Sequence, residues 1–458
     1  MADTIYALSS GAGRSGVAVI RVSGPGAGDA IIALAGALPA PRHADLRALT
    51  APRGGPLLDR GLVLWFPGPD SFTGEDVAEF QVHGGRAVVA AVLDALGGLP
   101  GLRPAEPGAF ARRAFDHGKF DLTRAEGLAD LIDAETEAQR RQALRQMEGG
   151  LAALYEGWRE RLVGNLAHLE ADLEFPDDEL FPGERRKIFD EVAAEAAQLR
   201  EEVGCHLDDG HRGERLREGV YVAIVGPPNA GKSSLLNALA KRDAAIVSDV
   251  AGTTRDVIEV HMDLGGFPVT LADTAGLRAI GDDKIEQEGI FRARKKAASA
   301  DLKVVLCEVA SWPQPDDQTL GQIDETALVV VNKIDQIDGF TSISDRPSGM
   351  PAGLGVFPVS VTTGAGMDQL LAELEARVAE RLVAGAVPSL TRARHRAALE
   401  DSGEALDRFA AIAAETANHS ELAAEELRLA ARSLGRITGQ VDVEDILDQV
   451  FAQFCIGK

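Results

Sequence analysis

A glycine-rich segment in the middle of the chain has the residue types and spacing of a phosphate-binding loop. An apolar run leads into Gly226-x-x-x-x-Gly231-Lys232-Ser233, and a helix is predicted to start at Leu235. Glycines let backbone N–H groups turn inward around a phosphate, and a helix N-terminus adds the positive end of its dipole. Lys232 would then reach the outer phosphates of a nucleotide, and Ser233 would hold Mg²⁺.

Two further motifs indicate how the outer phosphate and its metal are contacted. The segment Asp273-Thr-Ala-Gly276 follows the apolar-rich run 267–272, so its carboxylate is expected at a strand end, where it suits a contact to the Mg²⁺ shell. The backbone N–H of Gly276 can approach a γ-phosphate closely because glycine has no side chain. In the polar segment 252–256, a threonine hydroxyl would complete the metal shell, as in switch loops.

A third motif favours guanine as the base. Asn332, Lys333 and Asp335 follow an apolar run at 328–331. An ionised Asp335 can only accept hydrogen bonds, and guanine presents adjacent N–H donors that satisfy it, whereas adenine would leave it unpaired. The segment Ser360-Val-Thr362 follows the strand-like run 356–359 and is expected to support the base. Together these motifs predict binding of GTP over ATP.

The elements that must position these residues divide the chain into domains. The β-α alternation from 216 to 382 predicts a parallel sheet with crossover helices. Residues 1–120 mix short β-branched runs with turns, whereas apolar residues recur at helical spacing in 121–215 and again in 383–458. The prediction is a multidomain protein with an α+β N-terminal domain, a discontinuous α-helical domain and an inserted α/β Ras-like P-loop G domain.

Composition narrows the class of protein further. The 458 residues carry a net charge of -24, which argues against broad non-specific binding to nucleic acid. No apolar run approaches the roughly 20 residues of a membrane helix, and no basic secretory segment is found at the start. The three cysteines lie far apart and indicate neither disulfides nor zinc. We therefore expect a cytoplasmic protein that does not associate with membranes.

The glycine pattern Gly11-x-Gly13-x-x-Gly16 near the start has the spacing of a dinucleotide-binding motif but not its structural context. A strand-like run, Val17 to Val22, follows it where that motif requires a helix. A tight turn is the favoured interpretation, and no flavin or nicotinamide site is expected in this chain.

The motifs in combination resemble the MnmE (TrmE) family of bacterial tRNA-modification GTPases over the whole chain. The resemblance rests on Asn229-Ala-Gly-Lys-Ser-Ser-Leu-Leu-Asn237, Ser248-Asp-Val-Ala-Gly-Thr-Thr-Arg-Asp256, Asp273-Thr-Ala-Gly-Leu-Arg278 and the terminal Cys455-Ile-Gly-Lys458. The GTP-binding residues are then expected to be Asn229, Ala230, Gly231, Lys232, Ser233, Ser234, Ser248, Asp249, Val250, Ala251, Gly252, Thr253, Thr254, Asp273, Thr274, Ala275, Gly276, Asn332, Lys333, Asp335, Ser360, Val361 and Thr362.

This resemblance implies a GTP hydrolase that depends on K⁺ and is activated when two G domains associate. It assigns Mg²⁺ to Ser233 and Thr254, and K⁺ to Asn229, Ser248, Val250 and Thr253. A potassium ion held by hard oxygen ligands would supply the charge that an arginine finger brings elsewhere.

The residue that orients the attacking water is not fixed by the motifs alone. In the Ras-like template a Gln follows the Asp-x-x-Gly motif, but Leu277 stands there and an apolar side chain cannot orient water. The polar segment beyond it offers Asp282, Asp283, Glu286 and Glu288. The resemblance selects Glu286 as the catalytic residue.

The N-terminal domain contains the second implied site. From the residues alone, the glycine-containing segments 71–76 and 79–85 are expected to be turns, with a ligand site as the less favoured alternative. The resemblance implies that this domain mediates dimerisation and binds 5-formyl-tetrahydrofolate or a related folate through Arg21, Glu79, Lys119 and Lys458. Cys455 would lie near that folate as a redox or nucleophilic group, whereas a buried thiol is the commoner outcome for a cysteine.

The activity implied as a whole is one component of a tRNA-modifying enzyme complex. As a homodimer, the chain would work with an FAD-dependent protein resembling MnmG (GidA), in a heterotetramer or larger assembly. The complex would add an aminomethyl or carboxymethylaminomethyl group to C5 of the wobble uridine (U34) of certain tRNAs. A regulatory GTPase of ribosome assembly is the alternative, and a folate-dependent one-carbon transferase would leave the G domain unexplained.

Overall fold

The chain divides into two compact units. The computed structural model describes residues 3–174, 182–242, 259–273, 300–343, 345–351, 353–382, 389–415, 420–441 and 444–457. One unit comprises Met1–Ala129, Arg145–Arg200 and Ala398–Lys458, and the other comprises Asp130–Leu144 and Glu201–Ala397. Each unit is therefore assembled from segments that are distant in the sequence.

Twelve strands and fourteen α-helices occur within these described ranges. The strands are β1 (Thr4–Leu8), β2 (Ser15–Ser23), β3 (Asp45–Thr50), β4 (Leu57–Phe66), β5 (Val77–Gly84), β6 (Leu102–Pro104), β7 (Val220–Val225), β8 (Glu259–Leu264), β9 (Phe267–Asp273), β10 (Leu302–Glu308), β11 (Ala327–Asn332) and β12 (Val356–Pro358). The helices are α1 (Ala27–Ala35), α2 (Arg86–Gly97), α3 (Ala109–Asp116), α4 (Leu122–Asp133), α5 (Glu137–Met147), α6 (Gly150–Glu174), α7 (Pro182–Leu207), α8 (Arg212–Glu218), α9 (Lys232–Arg242), α10 (Asp317–Leu320), α11 (Met367–Leu382), α12 (Ala393–Glu415), α13 (Ser420–Thr438) and α14 (Glu444–Ala452).

The first unit contains a six-stranded sheet in the order β3-β4-β5-β2-β1-β6. All neighbours are antiparallel except β1 and β6, which are parallel. Alternate residues of β2 (Ala18, Ile20 and Val22) are buried and pack in one core with residues of α1 and α2. Since side chains alternate across a strand, Val19 and Arg21 lie on the opposite face. One face of the sheet is thus covered by α1 and α2. The opposite face carries Arg21; it is covered near β1 by Phe110 of α3 and is called the open face because it is exposed at β3 and β4.

Helices of the same unit pack through aromatic residues and ion pairs. Phe451 of α14 and Phe454, just beyond its end, are buried in a cluster with residues of α3 and α4. The Arg200 guanidinium makes two hydrogen bonds of 2.8 and 2.9 Å to the Asp407 carboxylate, which joins α7 to α12. No helix within the described ranges combines the length and the apolar composition needed to cross a bilayer.

The second unit contains a six-stranded sheet in the order β12-β11-β10-β7-β9-β8. Its strands are parallel, as the sequence predicts, except that β8 pairs antiparallel with β9 through a turn at Gly265 and Gly266. The hairpin was not predicted, and both glycines have positive φ angles, +59° and +88°. A tight hairpin turn needs such angles, which explains the exception.

Burial on both faces explains the continuous apolar strands of this sheet. Val222, Ile224 and Leu306 belong to a core that includes residues of α9 and α11, and Ala223 and Val305 belong to a core on the other face. Parallel sheets covered on both faces have this near-continuous apolar composition. The strands adjacent to β7 are β9 on one side and β10 on the other, so the strand order reverses there. Ligands of such sheets bind beyond the carboxyl ends of the strands at this point.

Candidate functional site

The loop after β7 has a backbone that only glycine accepts at two positions. Gly226 has φ +148°, and a Cβ atom there would lie 2.2 Å from the carbonyl oxygen of Leu306. Gly231 has φ +99°, and its Cβ atom would lie 2.5 Å from Nδ2 of Asn332. Between them, Asn229 is exposed in the left-handed region at φ +64°. The motif spacing therefore corresponds to close approaches of the loop to the ends of β10 and β11.

Helix α9 starts three residues before the predicted position, at Lys232 instead of Leu235. The N–H of Leu235 donates a hydrogen bond of 2.8 Å to the carbonyl oxygen of Gly231, so the first helical turn already begins inside the motif. The first N–H groups of a helix have no partner within it. Ser233 and Ser234 lie exposed in this first turn, where the backbone N–H groups and the helix dipole favour an anion.

The Lys232 ammonium lies folded back on the loop. Its side chain is 6% exposed, and Nζ donates hydrogen bonds of 2.9 Å to the carbonyl oxygen of Gly226 and 2.8 Å to that of Pro227. These carbonyl groups satisfy a nearly buried charge. The ammonium is thus held at the mouth of the loop, where a phosphate would compete for it.

Asn332 connects the phosphate-binding loop to the segment 360–362. Its Nδ2 atom donates a hydrogen bond of 2.8 Å to the carbonyl oxygen of Ala230, and its Oδ1 atom accepts one of 3.2 Å from the N–H of Val361. Ser360 is fully buried, and its hydroxyl accepts a hydrogen bond of 3.1 Å from the N–H of Thr363. The structure therefore brings together three motifs that are far apart in the sequence.

Lys333 and Asp335 have different surroundings. Lys333 is in the left-handed region at φ +65°, and its Nζ atom lies 2.8 Å from Oε1 of Glu308 at the end of β10. Asp335 lies in the short 3-10 turn Ile334–Gln336, and its carboxylate is exposed. The turn places an acceptor-only group at the carboxyl edge of the sheet, where the hydrogen-bond donors of a guanine base can reach it.

Several predicted residues lie outside the described part of the chain. These are Ser248, Asp249, Val250, Ala251, Gly252, Thr253, Thr254, Thr274, Ala275, Gly276, Glu286 and Lys458. Of the predicted potassium ligands the structure describes Asn229, and of the predicted magnesium ligands it describes Ser233. The backbone of Asp273 ends β9, level with Ile224 of β7.

The open face of the first sheet holds Arg21 against Glu79. The two residues are directly opposite each other on β2 and β5, and the Arg21 Nε and Nη2 atoms lie 3.0 and 2.9 Å from the same oxygen, Oε1 of Glu79. The guanidinium carbon lies 5.3 Å from the ring centre of Phe72 and 5.8 Å from that of Phe110. The cation is therefore fixed by one carboxylate and two aromatic rings.

Lys119 lies beside the loop 71–76, which also contains Phe72. The Cε atom of Lys119 would be 3.3 Å from a Cβ atom at Gly74, and the Phe72 ring packs 6.0 Å from the ring of Phe120. The loop 71–76 thus contacts both Arg21 and the segment that carries Lys119. Two of the four residues assigned to the folate by resemblance, Arg21 and Lys119, therefore border this loop, and a third, Glu79, pairs with Arg21.

The sequence did not predict the ion-pair network that involves Glu75 of the loop 71–76. Arg113 donates hydrogen bonds of 2.7 Å to Glu75, 3.1 Å to the carbonyl oxygen of Ser23 and 2.7 Å to Asp3. The Ser23 hydroxyl also contacts Thr73 and Glu75, at 2.7 and 2.9 Å. The acidic and hydroxyl residues of the segment were visible in the sequence, but their partner lies about 40 residues away on α3, a distance that no local pattern reveals.

The C-terminal segment lies against the same unit. The Ser9 hydroxyl donates a hydrogen bond of 2.8 Å to the carbonyl oxygen of Gly457, and Ile456 pairs with Pro107. Gly457 at φ +95° packs so closely that a Cβ atom would lie 2.2 Å from the carbonyl oxygen of Leu8. Cys455 is exposed and is not part of a disulfide. The buried-thiol alternative is therefore wrong for this residue.

Similarity to known proteins extends over the whole chain. The family described as "GTP-binding protein TrmE N-terminus" matches residues 4–119, and the family described as "MnmE helical domain" matches residues 122–455. The tRNA modification GTPase MnmE of Paramagnetospirillum magneticum is 55% identical over 461 residues, with 100% of both chains covered.

Two further relatives extend this similarity. The tRNA modification GTPase MnmE of Parvibaculum lavamentivorans is 55% identical over 457 residues and is covered completely, as is this chain. A mitochondrial 5-taurinomethyluridine-(tRNA) synthase subunit of Danio rerio is 49% identical over 485 residues, with 100% of this chain and 93% of the relative covered. Together with the phosphate-binding loop and the strand β11 that ends at Asn332, this similarity shows that the chain is a GTPase and belongs to the MnmE (TrmE) family of tRNA modification GTPases.

Proposed function

We propose that this GTPase acts with an FAD-dependent protein of the MnmG (GidA) type to modify C5 of the wobble uridine, U34, of certain tRNAs. The product carries an aminomethyl or carboxymethylaminomethyl group, and its one-carbon unit comes from 5-formyl-tetrahydrofolate or a related folate. One observation carries the proposal. A chain that aligns from end to end with tRNA modification GTPases holds both a nucleotide loop and a separate, fixed Arg21–Glu79 pair.

The whole reaction is tested on tRNA. The nucleosides of tRNA from cells that lack this chain, and from the same cells with it restored, are separated and identified by mass spectrometry. Loss of the modified wobble uridine, with recovery on restoration, supports the proposal. Intact modification together with defective ribosomal subunits would favour a regulatory role in ribosome assembly instead.

Magnesium and potassium are proposed for the nucleotide site. Ser233 in the first turn of α9 holds Mg²⁺ with Thr254, and Asn229 holds K⁺ with Ser248, Val250 and Thr253. Asn229 supports this assignment because it keeps a left-handed conformation, which costs most residues about 1 kcal/mol, at an exposed position of the loop. Its side-chain oxygen is a hard ligand of the kind that such cations prefer.

The potassium assignment predicts a salt-specific GTPase rate. Hydrolysis by the purified chain is compared in KCl and NaCl at equal ionic strength, for the parent protein and for Asn229→Ala. We expect stimulation by K⁺ alone and its loss in Asn229→Ala. Gln322→Ala, which also removes an amide from the same unit but lies beyond α10, should retain the stimulation. Equal rates of the parent in both salts would exclude the potassium site.

Glu286 and Cys455 are proposed as the two reactive side chains. Glu286→Gln should abolish GTP hydrolysis while GDP still binds, because the variant loses the carboxylate that orients water. Cys455→Ser should retain GTP hydrolysis and lose tRNA modification. The control for the second variant is Cys205→Ser, since Cys205 is also exposed and not part of a disulfide. Normal tRNA modification in Cys455→Ser would remove that residue from the reaction.

The folate is proposed to bind on the open face of the first sheet, through Arg21, Glu79, Lys119 and Lys458. Both contacts of Arg21 use Oε1 of Glu79, which leaves Oε2 out of that pair and able to accept pterin N–H donors. The cationic residues suit the glutamate carboxylates of a folate. The loop 71–76 borders Arg21 and Lys119, and Arg21 pairs with Glu79, which supports one binding site.

Calorimetry with 5-formyl-tetrahydrofolate tests this site without any enzymatic turnover. Glu79→Gln and Arg21→Ala should each weaken binding by about tenfold or more, as expected for loss of a charge-assisted hydrogen bond. Arg86→Ala removes an exposed arginine at the start of α2 and should bind the folate normally. Unchanged affinity in both site variants would exclude this face as the folate site.

A homodimer is proposed through the same open face. Leu46 and Leu62 are direct cross-strand neighbours on β3 and β4 and are 73% and 37% exposed. Two large leucines side by side on an uncovered sheet face suit an apolar contact with a second copy. Analytical ultracentrifugation should show a dimer for the parent and a shift to monomer for Leu46→Glu/Leu62→Glu. Ile32→Glu, an exposed position of α1, is the control.

A further inference from the structure

We propose that Glu308 is a specificity-determining residue for guanine, acting by holding the Lys333 ammonium away from Asp335. Glu308 belongs to none of the sequence motifs for nucleotide binding. Its Oε1 atom lies 2.8 Å from Nζ of Lys333, and both side chains are 28% exposed. The established GTPase activity requires a binding site for the guanine base. The Glu308–Lys333 pair lies at the edge of that site.

Strand register places Glu308 beside the guanine-recognition motif. Glu308 is the last residue of β10 and lies directly opposite Asn332 in the parallel pairing with β11. Lys333 follows Asn332 in a left-handed conformation that turns the chain sharply into the 3-10 turn of Asp335. A non-glycine residue keeps such a conformation only where its surroundings enforce it. The ion pair to Glu308 is one such constraint, because it ties the side chain of Lys333 sideways to the neighbouring strand.

Glu308 acts by competing with Asp335 for the ammonium of Lys333. Lys333 and Asp335 are separated by one residue, and the ammonium of a lysine reaches over four rotatable bonds. Asp335 has no hydrogen-bond or ion-pair partner among the residues that the structure describes. Without a closer acidic group, the Lys333 ammonium would pair with the Asp335 carboxylate and occupy the acceptor that guanine requires. Glu308 neutralises the ammonium and leaves Asp335 available.

The pair also fixes the aliphatic part of Lys333. Anchoring Nζ on Glu308 stretches the methylene groups across the ends of β10 and β11. Methylene stems of lysines pack on apolar surface while their charged ends reach a partner. A planar base whose edge faces Asp335 would lie over this stem, so the same ion pair orders both contacts before the nucleotide binds. Such preorganisation increases affinity by reducing the loss of freedom on binding.

Binding of GDP and inosine diphosphate to the full-length protein tests the proposal. Inosine lacks the 2-amino group of guanine. The ratio of the two dissociation constants therefore reports how strongly the Asp335 carboxylate binds that amino group. Glu308→Gln keeps the shape and removes the charge. We expect the Kd for GDP to rise by about tenfold, and the Kd for inosine diphosphate to rise less, so that discrimination falls by about threefold or more.

A double-mutant cycle and a matched control distinguish this role from a general effect on the fold. In a Lys333→Met background, where the competing ammonium is absent, Glu308→Gln should change the Kd for GDP by less than about twofold. Glu325→Gln removes an exposed carboxylate at the opposite end of the same sheet and should behave as the parent. An unchanged Kd in Glu308→Gln would overturn the proposal. So would equal weakening for both nucleotides with a lower thermal midpoint, because that result would mean a purely structural role.

Discussion

The side-chain amide of Asn332 and the carbonyl group of Ala230 form a hydrogen bond of 2.8 Å across 102 residues of sequence. This bond joins the last residue of β11 to the phosphate-binding loop. Asn332 is 3% exposed, and its other amide atom accepts a hydrogen bond from the N–H of Val361. A single buried side chain therefore fixes the distance between the part of the site that holds phosphate and the part that holds the base.

Replacing Asn332 by alanine should weaken nucleotide binding and the unit that holds it. The change leaves the Ala230 carbonyl and the Val361 N–H without their partner, and each unsatisfied buried group costs about 1–3 kcal/mol. We expect the Kd for GDP to rise by at least about tenfold and the thermal midpoint to fall. Calorimetry and differential scanning fluorimetry measure the two effects. Loss of a half-buried amide elsewhere in the unit, as in Gln322→Ala, should change neither, and normal GDP affinity in Asn332→Ala would contradict this interpretation.

The phosphate-binding loop was predictable because its requirements are local. A strand, a fixed glycine spacing and a helix start are all set by neighbouring residues, and the structure has β7 and α9 at those places. The helix start was predicted too late, at the apolar residue Leu235. The N–H of Leu235 donates a hydrogen bond to the carbonyl oxygen of Gly231, so the helix also includes the polar residues before Leu235. Polar residues carry no apolar periodicity, so the pattern did not include them.

The contacts between motifs were not predictable in the same way. The pairing of Lys333 with Glu308 depends on the register of β10 against β11, and that of Arg113 with Glu75 depends on where α3 lies against the first sheet. Neither residue of such a pair signals its partner in the sequence. The resemblance to a family supplied the residues of the second site, but the aromatic rings around Arg21 emerged only from the fold.

Gly226 should tolerate no side chain. In Gly226→Ala the new methyl group would overlap the carbonyl oxygen of Leu306, and φ +148° adds backbone strain. Because backbone on both sides must move, we expect a loss of about 3 kcal/mol or more in stability and no measurable GDP binding at micromolar nucleotide.

Gly339 provides the matched control for that substitution. It also has a positive φ angle, +72°, but nothing lies within 4 Å of its added Cβ atom. Gly339→Ala should therefore cost only about 1 kcal/mol of backbone strain and retain GDP binding. Equal effects in the two variants would show that strain, and not the contact with β10, makes glycine necessary at position 226.

His206 should make the second unit less stable in acid. The imidazole is 7% exposed, and burial lowers its pKa from the usual 6.5 to about 4; Asp209 opposes this shift, whereas Arg396 and His395 add to it. Above pH 6.5 both the folded and the unfolded chain hold a neutral His206, so pH has no effect through this group. Below pH 6.5 the unfolded chain binds a proton that the folded chain does not, and stability falls until about pH 4. The full difference is at most about 3 kcal/mol.

Hydrogen exchange of the end of α7 measures this effect. The free energy of opening for a peptide covering residues 201–207 should fall between pH 6.5 and pH 4 after correction for the intrinsic exchange rate. In His206→Gln the slope should become smaller. His168→Gln, an exposed histidine of α6, should retain the slope of the parent. An identical slope in His206→Gln would mean that other groups cause the acid sensitivity.

Gly457 should be necessary for the position of the C-terminal segment. In Gly457→Ala the methyl group would lie 2.2 Å from the carbonyl oxygen of Leu8, so the segment must move away and lose the hydrogen bond from Ser9. We expect faster hydrogen exchange in the peptide 453–457 and at Gly108, whose N–H faces the carbonyl oxygen of Cys455 at 3.5 Å. GTP hydrolysis should be retained, because the nucleotide loop belongs to the other unit.

The same variant separates the anchoring of the segment from the chemistry of its thiol. If the tail must be held for Cys455 to act, Gly457→Ala should lose tRNA modification with the thiol still present, and Ser9→Ala should lose part of it. Gly36→Ala has a similar φ angle, +84°, with open space around the new methyl group, and should leave both exchange and modification unchanged. Normal modification with a released tail would show that the position of Cys455 is irrelevant, because a mobile thiol would then serve as well as an anchored one.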